Sequence, residues 1–122
     1  MKQTTEEWLL LAAKNLSAQN RLSNLTAFHC QQCIEKCFKA VMEEKEISFL
    51  KSHDQLRLQQ LTNMELNDAD THILRILNEV YLDSRYPGDL GLLPHGKPLP
   101  EEIESFIRLT EKIFTLVTAD FN

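Results

Sequence analysis

Hydrophobic residues recur along this chain at three- and four-residue intervals rather than in alternation, so the pattern predicts helices almost throughout. A first helix is expected from Thr4, where Thr4-Thr5-Glu6-Glu7 reads as a capping box, to about Arg21. Trp8, Leu9, Leu11, Ala12 and Leu16 give it a broad apolar face. Ser23 or Asn24 can cap a second helix whose inward positions are Leu25, Phe28, Ile34, Phe38 and Val41. That helix is expected to end within the charged run Glu43-Glu44-Lys45-Glu46. A second capping box, Ser52-His53-Asp54-Gln55, opens a short third helix to about Thr62. Asn67, with Asp70 three residues on, starts a fourth, in which Ile73, Ile76, Leu77, Val80 and Tyr81 form one apolar stripe. It is expected to run to Ser84 or Arg85, because Pro87 disfavours helical geometry at the residue before it. Pro100 suits the first position of a last helix, with Glu101 and Glu102 at the positive end of its dipole. Ile103, Phe106, Ile107, Ile113, Leu116 and Val117 are its inward residues. The elements predict an all-α fold, an up-and-down antiparallel helical bundle of four to five helices, in a single domain spanning residues 1–122.

Composition sharpens this picture at one place. The three glycines and four prolines all lie between Pro87 and Pro100, and none precedes them. Turn-rich β architectures and low-complexity chains need such residues throughout and are excluded. At 43% hydrophobic and 25% charged, the chain has the composition of a soluble globular domain, able to bury a core without disulfides or metal. The net charge of −5 opposes non-specific binding to nucleic acid, which depends on neutralising phosphates with Lys and Arg, but leaves room for a local basic pocket. Glu6 and Glu7 stand where a signal peptide would carry basic residues, and the apolar run from Trp8 to Ala13 is short. No apolar run reaches the length of a membrane span, so a cytoplasmic protein with no membrane association is expected.

Few residues carry candidate chemistry. Cys30, Cys33 and Cys37 share one helical face, but a closed zinc site needs four ligands and no second pair of cysteines exists. They are expected to pack as small apolar residues, with no metal and no cofactor bound. The histidines His29, His53, His72 and His95 are scattered without metal spacing, and no phosphate-cradling glycine loop or nucleotide fingerprint is present. Glu35 and Lys39 are spaced as a favourable i, i+4 pair, which is expected on a solvated face. Arg85, in Ser84-Arg85-Tyr86-Pro87-Gly88-Asp89, has two readings. A cation suits the negative end of a helix, and a guanidinium also grips phosphate with two parallel hydrogen bonds.

Three segments together resemble the prokaryotic HEPN domain family over residues 6 to 118. They are Ala27-Phe28-His29-Cys30-Gln31-Gln32-Cys33-Ile34-Glu35-Lys36-Cys37-Phe38-Lys39-Ala40, Lys51-Ser52-His53-Asp54-Gln55-Leu56 and Asp83-Ser84-Arg85-Tyr86-Pro87-Gly88. Cys33 and Cys37 fall where that family usually carries alanine, in keeping with packing. The resemblance implies a homodimer, often encoded beside a minimal nucleotidyltransferase in toxin–antitoxin-like modules, that binds a nucleotide or RNA phosphate. On the matching motifs it assigns phosphate contacts to Arg85, Tyr86, Lys36, Lys39 and His53. Many members of the wider family are metal-independent ribonucleases that pair an arginine with a histidine a few residues further on. A histidine there moves protons at the ribose hydroxyl or leaving oxygen while arginine steadies the phosphate. Here Arg85 fits the arginine position, and the first histidine after it is His95, with nine residues between them. The readings are therefore a phosphate-binding module, a ribonuclease using Arg85 with His95, and a non-catalytic interaction or regulatory bundle.

Overall fold

The long glycine-free stretch after residue 22 forms α1 (Ser23–Glu44), followed by α2 (Gln55–Thr62), α3 (Asp68–Leu77) and α4 (Pro100–Asp120). The computed structural model describes residues 5, 7, 10, 23–47, 54–80 and 92–120. Thr5, Glu7 and Leu10 are helical too, within the stretch where the first helix is expected. Among the described residues there is no strand. Leu93 and Gly96 form an isolated antiparallel bridge ahead of α4, exchanging N–H···O bonds of 2.9 and 2.8 Å.

Three of the helix starts have a local cause. Asn67 caps α3, its side-chain oxygen accepting from the Asp70 amide at 2.7 Å. Pro100 opens α4, and Glu102 reaches back to accept from the Leu99 N–H at 2.8 Å, the return half of a capping box. At α2 the sequence expectation needs correction. The cap is Asp54 rather than Ser52: from an extended backbone its carboxylate accepts from the amides of Leu56 and Arg57 at 3.1 and 3.3 Å. Gln55 is then the first helical residue, not the third. Ser52 lies outside the described residues.

α3 is shorter than its apolar stripe predicts. The α-helix stops at Leu77, and Asn78 to Val80 form a turn with Glu79 N–H to Ile76 O and Val80 N–H to Leu77 O bonds. The stop comes from outside the helix. The side chains of Gln31, Asp54 and the backbone of Gln55 engage this turn, as described below. Ser84 and Arg85, where the helix was expected to end, lie outside the described residues.

Polar contacts between distant residues fix the directions. Thr5 Oγ1 donates to Glu44 Oε1 at 3.1 Å, so the N-terminal helical stretch starts beside the end of α1. The Asn78 side chain meets Asp54, so α3 ends where α2 begins. Lys112 of α4 pairs with Asp70 near the start of α3. α1 packs against α2 and α4, and α3 against α2 and α4.

α1 is buried around most of its circumference: Ala27, Cys30, Cys33, Ile34, Cys37, Phe38, Ala40 and Met42 are fully buried. It meets Leu58 of α2, Leu74 and Leu77 of α3, and Phe106, Leu109, Ile113 and Val117 of α4 in one hydrophobic core. The three cysteines are thus buried in the core with no solvent exposure, none of them in a disulfide. Several inward assignments shift, Phe28 and Ile107 among them, both only half-buried. In α3, Leu74 is buried while Ile73 and Ile76 flank the core half-buried, because apolar residues occupy both sides of its axis. Leu116 of α4 is 44% exposed, at the rim of a shallow depression shared with Val41, Thr62 and Met64.

Candidate functional site

One end of the bundle carries polar side chains in place of apolar ones. Gln31 and Glu35 lie one turn apart on α1, among residues that are otherwise core, and are 1% and 4% exposed. Polar groups at such depth need partners. Gln31 Nε2 donates to the Leu77 carbonyl at 2.8 Å and to the Val80 carbonyl at 3.4 Å. The first carbonyl ends α3 and takes only a turn-type bond from the Val80 N–H at 3.1 Å, and the second lies in the turn beyond it, past the reach of the helix's own i, i+4 bonds. The acceptor side of the same amide, Oε1, is buried with no hydrogen-bond partner among the described residues. The donor contact is therefore what fixes the orientation of Gln31.

Asn78 completes the junction from the other side. Its Oδ1 accepts from the Gln55 amide at 2.9 Å, and its Nδ2 donates to Asp54 Oδ1 at 3.2 Å. The Gln55 side chain turns back to α1, with Nε2 3.5 Å from Glu35 Oε1. Glu35 Oε2 holds Lys39 Nζ at 3.0 Å. The i, i+4 pair expected on a solvated face is therefore largely buried, its side chains only 6% and 14% exposed. At least part of the cover is the α2 start, whose Gln55 side chain lies against Glu35.

Two consequences for anion binding follow. A helix N-terminus is ordinarily a ready anion site, because its first amides lack partners. In α2 those amides are occupied: Gln55 by Asn78, Leu56 and Arg57 by the Asp54 carboxylate, and Leu58 by the Asp54 carbonyl. The start of α2 therefore offers no open amide to a phosphate. Lys36, half-buried on α1, has its pKa lowered chiefly by burial, with Lys39 adding to the effect and Glu35 and Cys33 opposing it. Its charged form gains from an anion nearby.

Of the residues expected to contact phosphate, Lys36 and Lys39 lie on this stretch of α1. His53, Arg85 and Tyr86 lie outside the described residues. His53 directly precedes Asp54, and Arg85 follows Val80 by five residues. His95 stands apart from the network. It is exposed in the turn between Leu93 and Gly96, with Nε2 2.9 Å from Glu102 Oε1. That carboxylate oxygen also caps α4. Gln55 and Asn78 carry no signal in the sequence beyond ordinary polar surface residues. Gln31 and Glu35 do carry one, as polar residues one turn apart among Ala27, Cys30, Ile34 and Phe38.

Among the described residues no cluster of His, Cys, Asp and Glu could hold a metal ion, and no helix is long and apolar enough to cross a membrane. A family model described as the HEPN domain matches residues 4–120. A crystal structure of an archaeal HEPN homologue is similar to this chain with a TM-score of 0.70, at 21% identity and with both chains covered completely. No curated protein matches the chain.

Proposed function

The chain belongs to the HEPN domain family, and from that premise we propose that it acts as a dimeric binding module for a nucleotide or RNA phosphate. Its partner in this reading is a minimal nucleotidyltransferase, in a toxin–antitoxin-like pair. The observation that carries the reading is the polar junction. It ties together the lysine-bearing stretch of α1, the residue after His53, and the chain end that runs on to Arg85. From Val80 the chain can carry Arg85 at most about 18 Å. The Arg85 guanidinium grips the phosphate with paired hydrogen bonds, with Tyr86 beside it. Lys36 adds a cation that burial has left poorly solvated, and His53 adds a further donor. Lys39, already paired with Glu35, contributes placement more than charge.

Light scattering on the purified protein is expected to give a dimer. Fluorescence anisotropy is expected to show binding of a labelled single-stranded RNA or of a nucleoside triphosphate, lost in Arg85→Ala. A monomer, or binding indifferent to that substitution, would refute the reading.

One observation favours a second reading, a metal-independent ribonuclease pairing Arg85 with His95. The Glu102 carboxylate at 2.9 Å orients the exposed imidazole as general acids and bases are commonly oriented. In excess chelator, the wild type is then expected to cleave RNA while Arg85→Ala and His95→Ala do not. Equal cleavage by all three marks contamination and removes the idea.

A further inference from the structure

We propose that Gln31 and Asn78 are positioning residues of the phosphate site, holding the end of α3 and the start of α2 in register on α1. The inference deepens the proposed function and rests on it. Neither residue is assigned to the phosphate itself. Each acts through the chain it holds, at Val80, three residues before one family motif, and at Asp54, inside another.

The chemistry of the contacts favours this role over simple packing. A core helix that needed only volume at position 31 would carry leucine or methionine there. Gln31 instead buries an amide whose oxygen has no partner among the described residues, in order to place Nε2 on the last carbonyl of α3 and on that of Val80 beyond it. Those carbonyls are separated by a turn, so one amide fixes both the last turn of the helix and the chain beyond it. Asn78 is the first residue past α3, and both ends of its side chain are directed to α2: Oδ1 to the Gln55 amide and Nδ2 to the Asp54 carboxylate. An α3 terminus free to rotate about its axis would break both sets of bonds together. Phosphate recognition by a planar guanidinium depends on such placement, since small displacements of a binding group lose much of its effect.

Isosteric substitutions test the role without opening a cavity. Gln31→Glu keeps the shape but sets a carboxylate against the Leu77 and Val80 carbonyls. Asn78→Asp keeps the acceptor for Gln55 and sets a second oxygen against Asp54. Both variants, checked by circular dichroism and light scattering to be folded with the wild-type oligomeric state, are expected to bind the labelled single-stranded RNA and ATP probes about tenfold to a hundredfold more weakly. The RNA and ATP arms show which source supplies the phosphate. Lowering the pH protonates the new carboxyl of Gln31→Glu, which can then donate to the Leu77 carbonyl. Its affinity relative to wild type at the same pH is expected to recover, whereas Gln31→Leu shows no recovery. A merely structural role would lower stability in all three variants and leave affinity of the folded protein unchanged.

Two failures are distinguishable. If wild type binds neither probe, or Arg85→Ala binds as wild type does, the phosphate reading itself falls, and the positioning role with it. If binding depends on Arg85 but is unchanged in folded Gln31→Glu and Asn78→Asp, only the positioning role is overturned.

Discussion

Substituting Glu35 and Lys39 singly and together measures what burial has done to an ion pair that the sequence alone places at the surface. A solvated i, i+4 pair contributes about 0.3–0.5 kcal/mol. Breaking a pair removed from water costs about 3–5 kcal/mol, because one charge is stranded. Here the side chains keep 6% exposure at Glu35 and 14% at Lys39, so the pair lies near the buried limit without reaching it. The two ends differ as well. The lysine ammonium sits on a long stem and can swing toward water when its partner is lost, while the shorter glutamate cannot. Glu35→Gln is therefore expected to cost about 1 kcal/mol, and Lys39→Met about 2–3 kcal/mol, since the latter leaves a buried carboxylate behind. The double variant strands no charge, so it is expected to be no less stable than Lys39→Met, with a coupling energy of about 1–2 kcal/mol. Urea unfolding of the four proteins at neutral pH, followed by far-ultraviolet circular dichroism, gives all three numbers. A coupling energy of about 0.5 kcal/mol or less, or a Lys39→Met cost no larger than that of Glu35→Gln, would refute the reasoning and return the pair to the surface class.

Gly96 has φ +110, with open space where a Cβ would stand. Gly96→Ala is therefore expected to lose about 1–2 kcal/mol through backbone strain alone, and a thermal melt as stable as wild type would contradict that. The Cys37 thiol is pushed well above its ordinary value of 9.0 by its hydrogen bond with Cys33 and then by burial. Folding thus keeps a proton that the unfolded chain releases, and the stability contributed by the neutral thiol is present below pH 9.0 and lost as the pH rises beyond it. Cys37→Ala is expected to show a shallower alkaline fall in urea-unfolding free energy, and an identical fall would count against the assignment. Lys36 works in the opposite direction. Its pKa is lowered from 10.5, so the unfolded chain binds more protons in that window and the wild type gains stability as the pH climbs toward 10.5. Lys36→Met lacks that gain, so its free energy difference from wild type is expected to shift in favour of wild type at alkaline pH. A difference independent of pH would show that Lys36 is as well solvated folded as unfolded.

What the sequence made legible is local. Absence of glycine and proline before Pro87, the Asn67 cap and the Pro100 start each act within a few residues, and each is found where expected. Family motifs identified the fold for the same reason, since they are contiguous strings. The structure departs wherever a distant residue decides. α3 stops at Leu77 because α1 and α2 supply partners for its last turn. Glu35 and Lys39 leave solvent because other elements cover them, which no spacing on α1 can reveal. Leu116 follows the apolar period of α4 and yet is exposed, since period says which face a residue shares but not how far the neighbouring helices extend. The motifs named the lysines and Arg85. Asn78, which joins the end of α3 to the start of α2, came only from the structure, and so did the partners of Gln31, which the sequence marks only as a polar residue among apolar ones.

The eight-residue helix α2 has a particular dependence on this junction. Isolated helices shorter than about 12–15 residues are marginal in water, so α2 persists through its tertiary contacts. One of these is the bond to its first amide from Asn78, 23 residues further along the chain. When the last turn of α3 opens, α2 loses that bond and, with it, part of its own reason to be helical. The two helices are thereby one cooperative unit, and native-state hydrogen exchange is expected to return a common opening free energy for the amides of α2 and of the α3 terminus. The shortest of the four described helices thus reports on a residue 23 positions away, its amides exchanging when the turn after α3 lets go.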